Sequence, residues 1–318
     1  MRVGIIGTGL IGGSLALALK ASGRHKVYCW NRRAEVSKKA VKLNAVDKYF
    51  DSVEQLAENS EVIIIATPLG SYSAICKKLL KYLDGKRIIS DVGSVKFAPV
   101  QQALKTIPEK YKSFFVPAHP IAGKEKGGIE HASANLYKGK KLIICKTANC
   151  KKGKKIAELW RDAGVEIEFL NAKKHDEIYA YVSHYVQYIS HSISKIFPKG
   201  GGEFSRLMNS PEDMWVEIFK FNSENLKKVH KEFLSSFLRK LKYVSSYSGK
   251  NEFDVAAKII ASSYIDIIPL KYTEYAGSGY KSFTSVVTNA KQSGKKISPE
   301  KVSKILSKVY NELKKAKF

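Results

Sequence analysis

The first residues of the chain have the types and spacing of a phosphate-binding turn. Gly7, Gly9 and Gly12 form a G-x-G-x-x-G motif that follows an apolar segment and opens a helical pattern, with Leu10 and Ile11 in its first turn. The first glycine permits a tight turn, the second lets backbone approach a pyrophosphate, and the third lets helix and strand pack closely. The helix N-terminus offers free N–H groups to the phosphates. The motif predicts a dinucleotide site; the alternative is a turn without a ligand.

The end of the second predicted strand bears on the kind of dinucleotide. Many NAD enzymes have a carboxylate here that holds the ribose hydroxyls, whereas this chain has Asn31, Arg32 and Arg33. A carboxylate would repel a 2′-phosphate, and arginine can bind one through two parallel hydrogen bonds. We therefore expect NADP as the cofactor. NAD is the alternative if the arginines are only solvated residues at a helix start.

Three further segments carry polar side chains that packing alone does not require. DVGSVK places Ser94 just beyond a predicted strand, and HPIAGKEKGG places His119 in a loop. VSHYVQYISH places His184 in the first helix that follows. A neutral imidazole can accept a proton near physiological pH. Because ligands bind at the carboxyl ends of the strands in parallel sheets, we expect these side chains to serve one reaction.

Alternating strand and helix patterns predict a Rossmann-type α/β domain over 1–171, with helices on both faces of a parallel sheet. The predicted strands are Arg2–Ile6, Lys26–Trp30, Glu61–Thr67, Arg87–Asp91, Phe114–Pro117, Lys141–Cys145 and Glu166–Leu170. The helical patterns between them are Leu10–Ala21, Ala34–Asn44, Ser71–Leu83, Ala98–Thr106 and Lys152–Ala163.

Strand patterns are scarce in the rest of the chain, which predicts a second, all-helical domain over 172–318 for substrate binding and dimerisation. Its predicted helices are Lys173–Ile196, Pro211–Val244, Phe253–Ile267 and Pro299–Lys317. Proline at the first helical position is a common helix start. Residues 182–207 and 260–286 each join an apolar helix to a glycine-rich turn. A degenerate internal repeat and a coincidence of composition both account for this likeness.

The charge of the chain is strongly positive. Lys and Arg number 55 against 29 Asp and Glu, a net charge of +26. A nucleic-acid binder is one explanation. The basic residues are mostly lysines spread along predicted helix surfaces, which favours a solvated lysine-rich surface and no nucleic-acid partner.

The cysteines and the apolar runs limit the class of protein further. Four cysteines without C-x-x-C spacing or a histidine cluster predict buried reduced thiols and no metal site. No apolar run approaches the ~20 residues that span a membrane. The N-terminus lacks the basic and apolar regions of a signal peptide. We expect a cytoplasmic protein without a membrane partner.

The order of the motifs resembles that of a known family. Five segments are similar to the motifs of prephenate and arogenate dehydrogenases, over about residues 1–245. In chain order they are GxGLIGGS, the tripeptide Ala-Thr-Pro at 66–68, DVGSVK, AHPIAGxExxGxxxAxxxLYxGK and HDxxxAxVSH. The resemblance implies oxidative decarboxylation of a cyclohexadienol in tyrosine biosynthesis. Hydride passes to the nicotinamide, the ring carboxylate leaves as carbon dioxide, and aromatisation drives the step. The Ala-Thr-Pro tripeptide adds Thr67 and Pro68 to the expected cofactor contacts.

The resemblance also implies roles for single residues. His119 would face the substrate hydroxyl and accept its proton, and Ser94 would hydrogen-bond the same hydroxyl. His184 matches the first histidine of the family's S-H-L-P-H motif, with Ser183 beside it. The alternatives are a histidine that only holds its loop for His119, a turn-forming serine for Ser94, and a satisfied helix histidine for His184.

The chain departs from the family pattern in three places. Gln187 stands where the motif has its second histidine, so a neutral amide would face the side-chain end of the substrate. Gly-Glu-Phe-Ser-Arg, ending at Arg206, looks like a shortened form of the family's arginine motif, which makes Arg206 a carboxylate clamp; a surface ion pair is the alternative. Residues 246–318 exceed a minimal member and lack the strand pattern of an ACT-type regulatory domain.

Other classes of protein compete with this interpretation. A β-hydroxyacid dehydrogenase of the same build would commonly rely on a lysine in the first long helix of its second domain, where this chain has Ser183, His184 and Gln187. A noncatalytic NADP-binding protein is also compatible with the fold. Long amphipathic helices in the second domain, together with the family resemblance, favour a homodimer.

Overall fold

The computed structural model describes residues 1–85, 87–124, 126–146, 150–197, 205–208, 212–276, 281, 284–287, 297–316 and 318. The chain divides into two compact units, Met1–His175 and Asp176–Phe318. The division falls four residues beyond the boundary expected after residue 171. No helix among the described residues has the length and apolar character needed to cross a membrane.

The first unit contains a six-stranded sheet of order β3-β2-β1-β4-β5-β6, and every pairing in it is parallel. This is the strand order of dinucleotide-binding folds, with the reversal of direction beside the first strand. The strands are β1 Arg2–Ile6, β2 Lys26–Trp30, β3 Lys48–Tyr49, β4 Val62–Ile65, β5 Ile88–Asp91 and β6 Phe115–Val116. The apolar runs of β1 and β4 are buried because helices cover both faces of the sheet. The expected Rossmann-type domain is confirmed.

Seven α-helices accompany these strands in the described part of the first unit. They are α1 Leu10–Ala21, α2 Ala34–Lys42, α3 Val53–Asn59, α4 Tyr72–Leu79, α5 Ala98–Leu104, α6 Glu109–Lys112 and α7 Cys150–Arg161. The short elements β3, α3 and α6 were not predicted. A capping signal was available for α3, because the Ser52 hydroxyl accepts a hydrogen bond from the Gln55 N–H at its start.

A second sheet of three strands corrects two predictions. It consists of β7 Ala118–Pro120 antiparallel to β8 Lys141–Cys145, with β9 Glu166–Leu170 parallel to β8. Lys141–Cys145 and Glu166–Leu170 are strands, as predicted, but they do not join the parallel sheet. The predicted strand Phe114–Pro117 is also wrong in extent. Pro117 has no N–H to continue the ladder, so the chain leaves one sheet there and enters the other.

The helices of the second unit correct two further predictions. They are α8 Ala172–Tyr179, which begins before the division, α9 Tyr185–Ile193, α10 Ser205–Met208, α11 Glu212–Phe221, α12 Ser223–Leu241, α13 Glu252–Ile265 and α14 Pro299–Leu313. The predicted helix Lys173–Ile196 contains a π-helical turn, Ala180–His184. The predicted helix Pro211–Val244 is broken at Asn222, whose side chain makes buried hydrogen bonds.

Packing in the second unit is dominated by aromatic rings. Tyr185 lies 5.5 Å from Phe233 between ring centroids, and Phe233 stacks on Phe237 at 5.6 Å. The glycine-rich turns of the suspected repeat, at 200–204 and 277–280, lie outside the described residues. The repeat therefore stays a prediction.

Gly12 supplies a test of how closely α1 must approach β1. A Cβ atom at Gly12 would lie 2.0 Å from the carbonyl oxygen of Gly7, so backbone has to move. We expect Gly12→Ala to lower the free energy of unfolding by roughly 2–3 kcal/mol in thermal or urea melts without cofactor. Gly9→Ala is the matched control, because nothing lies within 4 Å of its Cβ position. Equal losses in the two variants would contradict the close-packing explanation.

Candidate functional site

The glycine turn between β1 and α1 has the form that its sequence predicts. Gly7 has a φ of 95°, and a Cβ there would lie 2.6 Å from the carbonyl oxygen of Ala66. Gly9 immediately precedes α1 and faces open space. Gly7 and Gly12 are therefore required by the fold itself. Gly9 leaves room at the helix N-terminus, where backbone N–H groups can bind an anion.

The Asn31 side chain stabilises this turn through hydrogen bonds to Thr8. Its Oδ1 accepts a hydrogen bond from the Thr8 N–H at 2.7 Å, and its Nδ2 donates to Thr8 Oγ1 at 2.8 Å and to Ser37 Oγ at 3.0 Å. Both amide hydrogens are thus used within the fold. Asn31 thereby fixes the position of Thr8, which lies between the first two glycines.

Arg32 and Arg33 lie just before α2 and are exposed. Within the described part of the chain, neither guanidinium takes part in an ion pair. Exposed arginines without an intramolecular carboxylate are available to an anionic ligand.

Thr67 and Pro68 follow β4, next to the glycine turn in the sheet. The methyl group of Thr67 lies 2.9 Å from the Cβ position of Gly7, and its hydroxyl is 2.7 Å from the Ser71 hydroxyl. Pro68 is exposed. The structure therefore brings the Ala-Thr-Pro tripeptide and the glycine motif together at the carboxyl ends of β1 and β4.

His119 lies in β7 and is paired with a buried histidine. Its Nδ1 is 2.9 Å from Nε2 of His175, which is 0% exposed, and the rings meet edge to face. If His119 donates through Nδ1, its Nε2 keeps a lone pair, which is the state that a general base requires. His119 is half-buried. Ser94, three residues beyond β5, is half-buried as well.

His184 occupies the last position of the π-helical turn and is 1% exposed. The Asn222 amide donates to the carbonyl oxygen of Asp176 and lies 2.9 Å from His184 Nδ1. An amide nitrogen can only donate, so His184 Nδ1 accepts and its proton is on Nε2. A π-helical turn at this place re-aims the side chains that follow it and is common at functional sites. Ser183, beside it, is half-buried.

Gln187 is buried on α9, with its amide oriented by two acceptors. Nε2 donates to the carbonyl oxygen of Leu207 at 2.6 Å and lies 2.8 Å from Nε2 of His191. A flipped amide would place its oxygen against the Leu207 carbonyl, so the orientation is fixed. Both hydrogens of Gln187 are therefore bound within this unit.

Arg206 belongs to the short helix α10, and its side chain lies outside the described part of the structure. Trp215 of α11 lies 6.4 Å from His184 between ring centroids. The indole N–H of Trp215 is buried and has no acceptor among the described residues. It is a buried hydrogen-bond donor beside His184.

Sequence reasoning missed the partners of the two histidines. His175 opens the HD segment that was quoted only as part of a motif, and Asn222 was assigned to a helix interior. His175 is 56 residues from His119, and Asn222 is 38 residues from His184. Neither spacing has a periodic signal. A buried polar residue next to a catalytic candidate becomes visible only when the fold is known.

Three of the four cysteines agree with the predicted buried thiols, and the side chain of Cys150 lies outside the described residues. Cys29, Cys76 and Cys145 are buried thiols that form no disulfide. Burial raises the pKa of Cys29 to about 11 and that of Cys76 to about 12. Cys29 and Cys76 therefore stay protonated and unreactive near neutral pH.

Comparisons with known proteins bear on this arrangement. The strand order and the glycine turn define a dinucleotide-binding domain. The model of the prephenate dehydrogenase nucleotide-binding domain matches residues 15–169. A cyclohexadienyl dehydrogenase of Zymomonas mobilis is 25% identical over 272 residues, 78% of this chain and 90% of that protein. A prephenate dehydrogenase of Bacillus subtilis is 27% identical over 287 residues, 84% of this chain and 76% of that protein.

A solved structure also shows a likeness to this family. Prephenate dehydrogenase from Aquifex aeolicus, in complex with hydroxyphenyl propionate and NAD+, is 31% identical with a TM-score of 0.70. The match covers 77% of this chain and 90% of that one. The chain belongs to the prephenate dehydrogenase family. The resemblance found in the motifs is confirmed.

The His119–His175 pair predicts an effect on turnover that is separable from cofactor binding. We expect His175→Leu to lower kcat with prephenate or arogenate by about tenfold to a hundredfold, part of the 10²–10⁴ that a general base contributes. His175→Asn keeps an acceptor for the Nδ1 proton, so its loss is smaller. Cofactor affinity, measured by fluorescence titration, stays unchanged. Equal kcat values in His175→Leu and the natural protein would contradict the pairing.

The contact between Asn222 and His184 predicts a tautomer. In protein labelled with ¹⁵N-histidine at neutral pH, we expect His184 to show a protonated Nε2 and an unprotonated Nδ1. Asn222→Asp replaces the donor with an acceptor, so the proton should move to Nδ1. A natural protein with its proton on Nδ1 would disprove the assignment.

Proposed function

We propose that this protein is an NAD(P)-dependent dehydrogenase that oxidatively decarboxylates prephenate or arogenate in tyrosine biosynthesis. The observation that carries the proposal is the His119 imidazole, held by the buried His175 in the unit that also contains the dinucleotide turn. Such an imidazole, with Nε2 unprotonated, can accept the proton of a substrate hydroxyl.

The proton balance of the reaction gives His119 two tasks. It takes the hydroxyl proton as the ring carbon loses hydride, and it can return that proton to the phenol oxygen after the carboxylate has left as carbon dioxide. Ser94 hydrogen-bonds the same oxygen and holds the hydroxyl toward His119. The nicotinamide, when bound, accepts the hydride. Departure of carbon dioxide makes the ring aromatic, which drives the step.

The residues at the carboxyl ends of β1 and β4 fit a dinucleotide. Gly9 leaves its Cβ position open at the N-terminus of α1, and Leu10 and Ile11 form the first turn there. Backbone N–H groups at that position stabilise the pyrophosphate charge. Two exposed arginines, Arg32 and Arg33, favour NADP over NAD because they can bind a 2′-phosphate.

Residues of the helical unit would bind the rest of the substrate. His184 can donate from Nε2, and Ser183 adds a hydroxyl beside it. Gln187 is proposed to present a neutral amide to the side-chain end of the substrate. Arg206 is proposed to pair with a carboxylate through two hydrogen bonds.

Two further proposals concern the whole molecule. We propose that this helical unit forms a homodimer, a state that a mass measurement in solution tests directly. A cytoplasmic location is the matching proposal for an enzyme of amino-acid biosynthesis.

The deciding experiment measures absorbance at 340 nm with prephenate and arogenate, each combined with NAD and NADP. We expect reduction of the nicotinamide with at least one substrate, accompanied by release of carbon dioxide. Absence of reduction in all four combinations, by protein shown to bind NADP, would overturn the function. Reduction without carbon dioxide release would point instead to a simple hydroxyacid dehydrogenase.

The two arginines predict a cofactor preference. We expect the double variant Arg32→Ala/Arg33→Ala to raise KM for NADP by about tenfold or more, since one charge-assisted hydrogen bond contributes about 1.5–3 kcal/mol. KM for NAD should change little. Arg161→Ala/Arg239→Ala, which removes two exposed arginines from α7 and α12, is the control for net charge. Equal changes for both cofactors would contradict recognition of the 2′-phosphate.

A further inference from the structure

A buried ion pair in the DVGSVK segment has no part in the roles given above. Asp91 ends β5, and Lys96 lies five residues later. Both side chains are 0% exposed. Charged residues are almost never fully buried unless they are paired, so this pair is an expensive feature of the fold.

The pair holds Ala118 from both sides. Oδ1 of Asp91 accepts a hydrogen bond from the Ala118 N–H at 3.1 Å, and Nζ of Lys96 donates to the Ala118 carbonyl oxygen at 2.6 Å. Lys96 also donates to Oδ2 of Asp91. The two side chains therefore take the place of a neighbouring strand where the chain passes from β6 to β7.

The pair also holds the loop that carries Ser94. Oδ2 of Asp91 accepts hydrogen bonds from the Gly93 N–H at 2.9 Å and from the Tyr72 hydroxyl at 2.8 Å. Burial, followed by the charge of Asp91, raises the pKa of Tyr72 well above its usual range, so this phenol stays a donor.

We propose that the Asp91–Lys96 ion pair is a positioning device that sets Ser94 against His119, an inference that rests on the proposed function. Ser94 directly follows Gly93, and His119 directly follows Ala118. One carboxylate thus binds the backbone neighbour of each reacting side chain. A shift of Asp91 moves both, and a displacement of about 1 Å at a reacting group can cost about a hundredfold in rate.

The chain offers a matched control for the loss of such a pair. Lys258 in α13 is buried, pairs with Asp254 at 3.2 Å and donates to the carbonyl oxygen of Ser248 at 2.8 Å. Lys258→Met therefore removes the same kinds of contact as Lys96→Met. Lys258, Asp254 and Ser248 have no role in the proposed site.

The test compares Lys96→Met with Lys258→Met in the full chain. We expect Lys96→Met to lower kcat about a hundredfold, with NADP affinity within about twofold of the natural protein. Lys258→Met should keep kcat within about threefold. In cofactor-free protein, the ring resonances of His119 should move in Lys96→Met and not in Lys258→Met. Similar kcat losses in both variants, or unmoved His119 resonances, would overturn the proposal.

Two further measurements test the positioning role if Lys96→Met does not fold or if the natural protein is inactive. If Lys96→Met does not fold, Tyr72→Phe removes one hydrogen bond to Asp91 and keeps both charges; it should lower kcat several-fold with NADP affinity unchanged, and full kcat would overturn the proposal. If the natural protein reduces no nicotinamide with either substrate, the proposed function has failed. The movement of the His119 resonances then still tests the positioning role by itself.

Discussion

The position of His119 in the first unit depends on Pro117, where the chain leaves the six-stranded sheet and enters the three-stranded sheet. Proline has no N–H for a ladder, so β6 ends before it and β7 begins after it. Ala118 then bonds through both its N–H and its carbonyl to Asp91 and Lys96, two charges that are buried only because they satisfy each other. This junction places His119 beside the carboxyl end of a parallel strand, where the ligands of such sheets bind.

The helical unit has a comparable dependence on Asn222. The residue breaks one long helical pattern into α11 and α12, and its side chain points back to Asp176 and His184. A single amide thereby satisfies a carbonyl oxygen and sets the tautomer of a histidine. In each unit, then, a buried polar contact between distant residues fixes the imidazole that we propose for chemistry or binding.

Local patterns explain what the sequence could predict. The spacing of Gly7, Gly9 and Gly12 predicts the turn because each position of the motif has a steric reason for glycine. The apolar runs of β1 and β4 predict buried strands. The junction at Pro117 could not be predicted, because strands of two and three residues have no periodicity. The contacts of His119 with His175 and of Lys96 with Ala118 join residues far apart in the chain, so no local signal marks them.

A single-turnover measurement tests most directly whether His119 accepts the substrate hydroxyl proton. His119→Asn is compared with the natural protein at saturating substrate and cofactor, and formation of reduced nicotinamide is followed at 340 nm. We expect a rate at least about a hundredfold lower, with cofactor affinity unchanged. A rate within about threefold of the natural protein would show that another group accepts the proton.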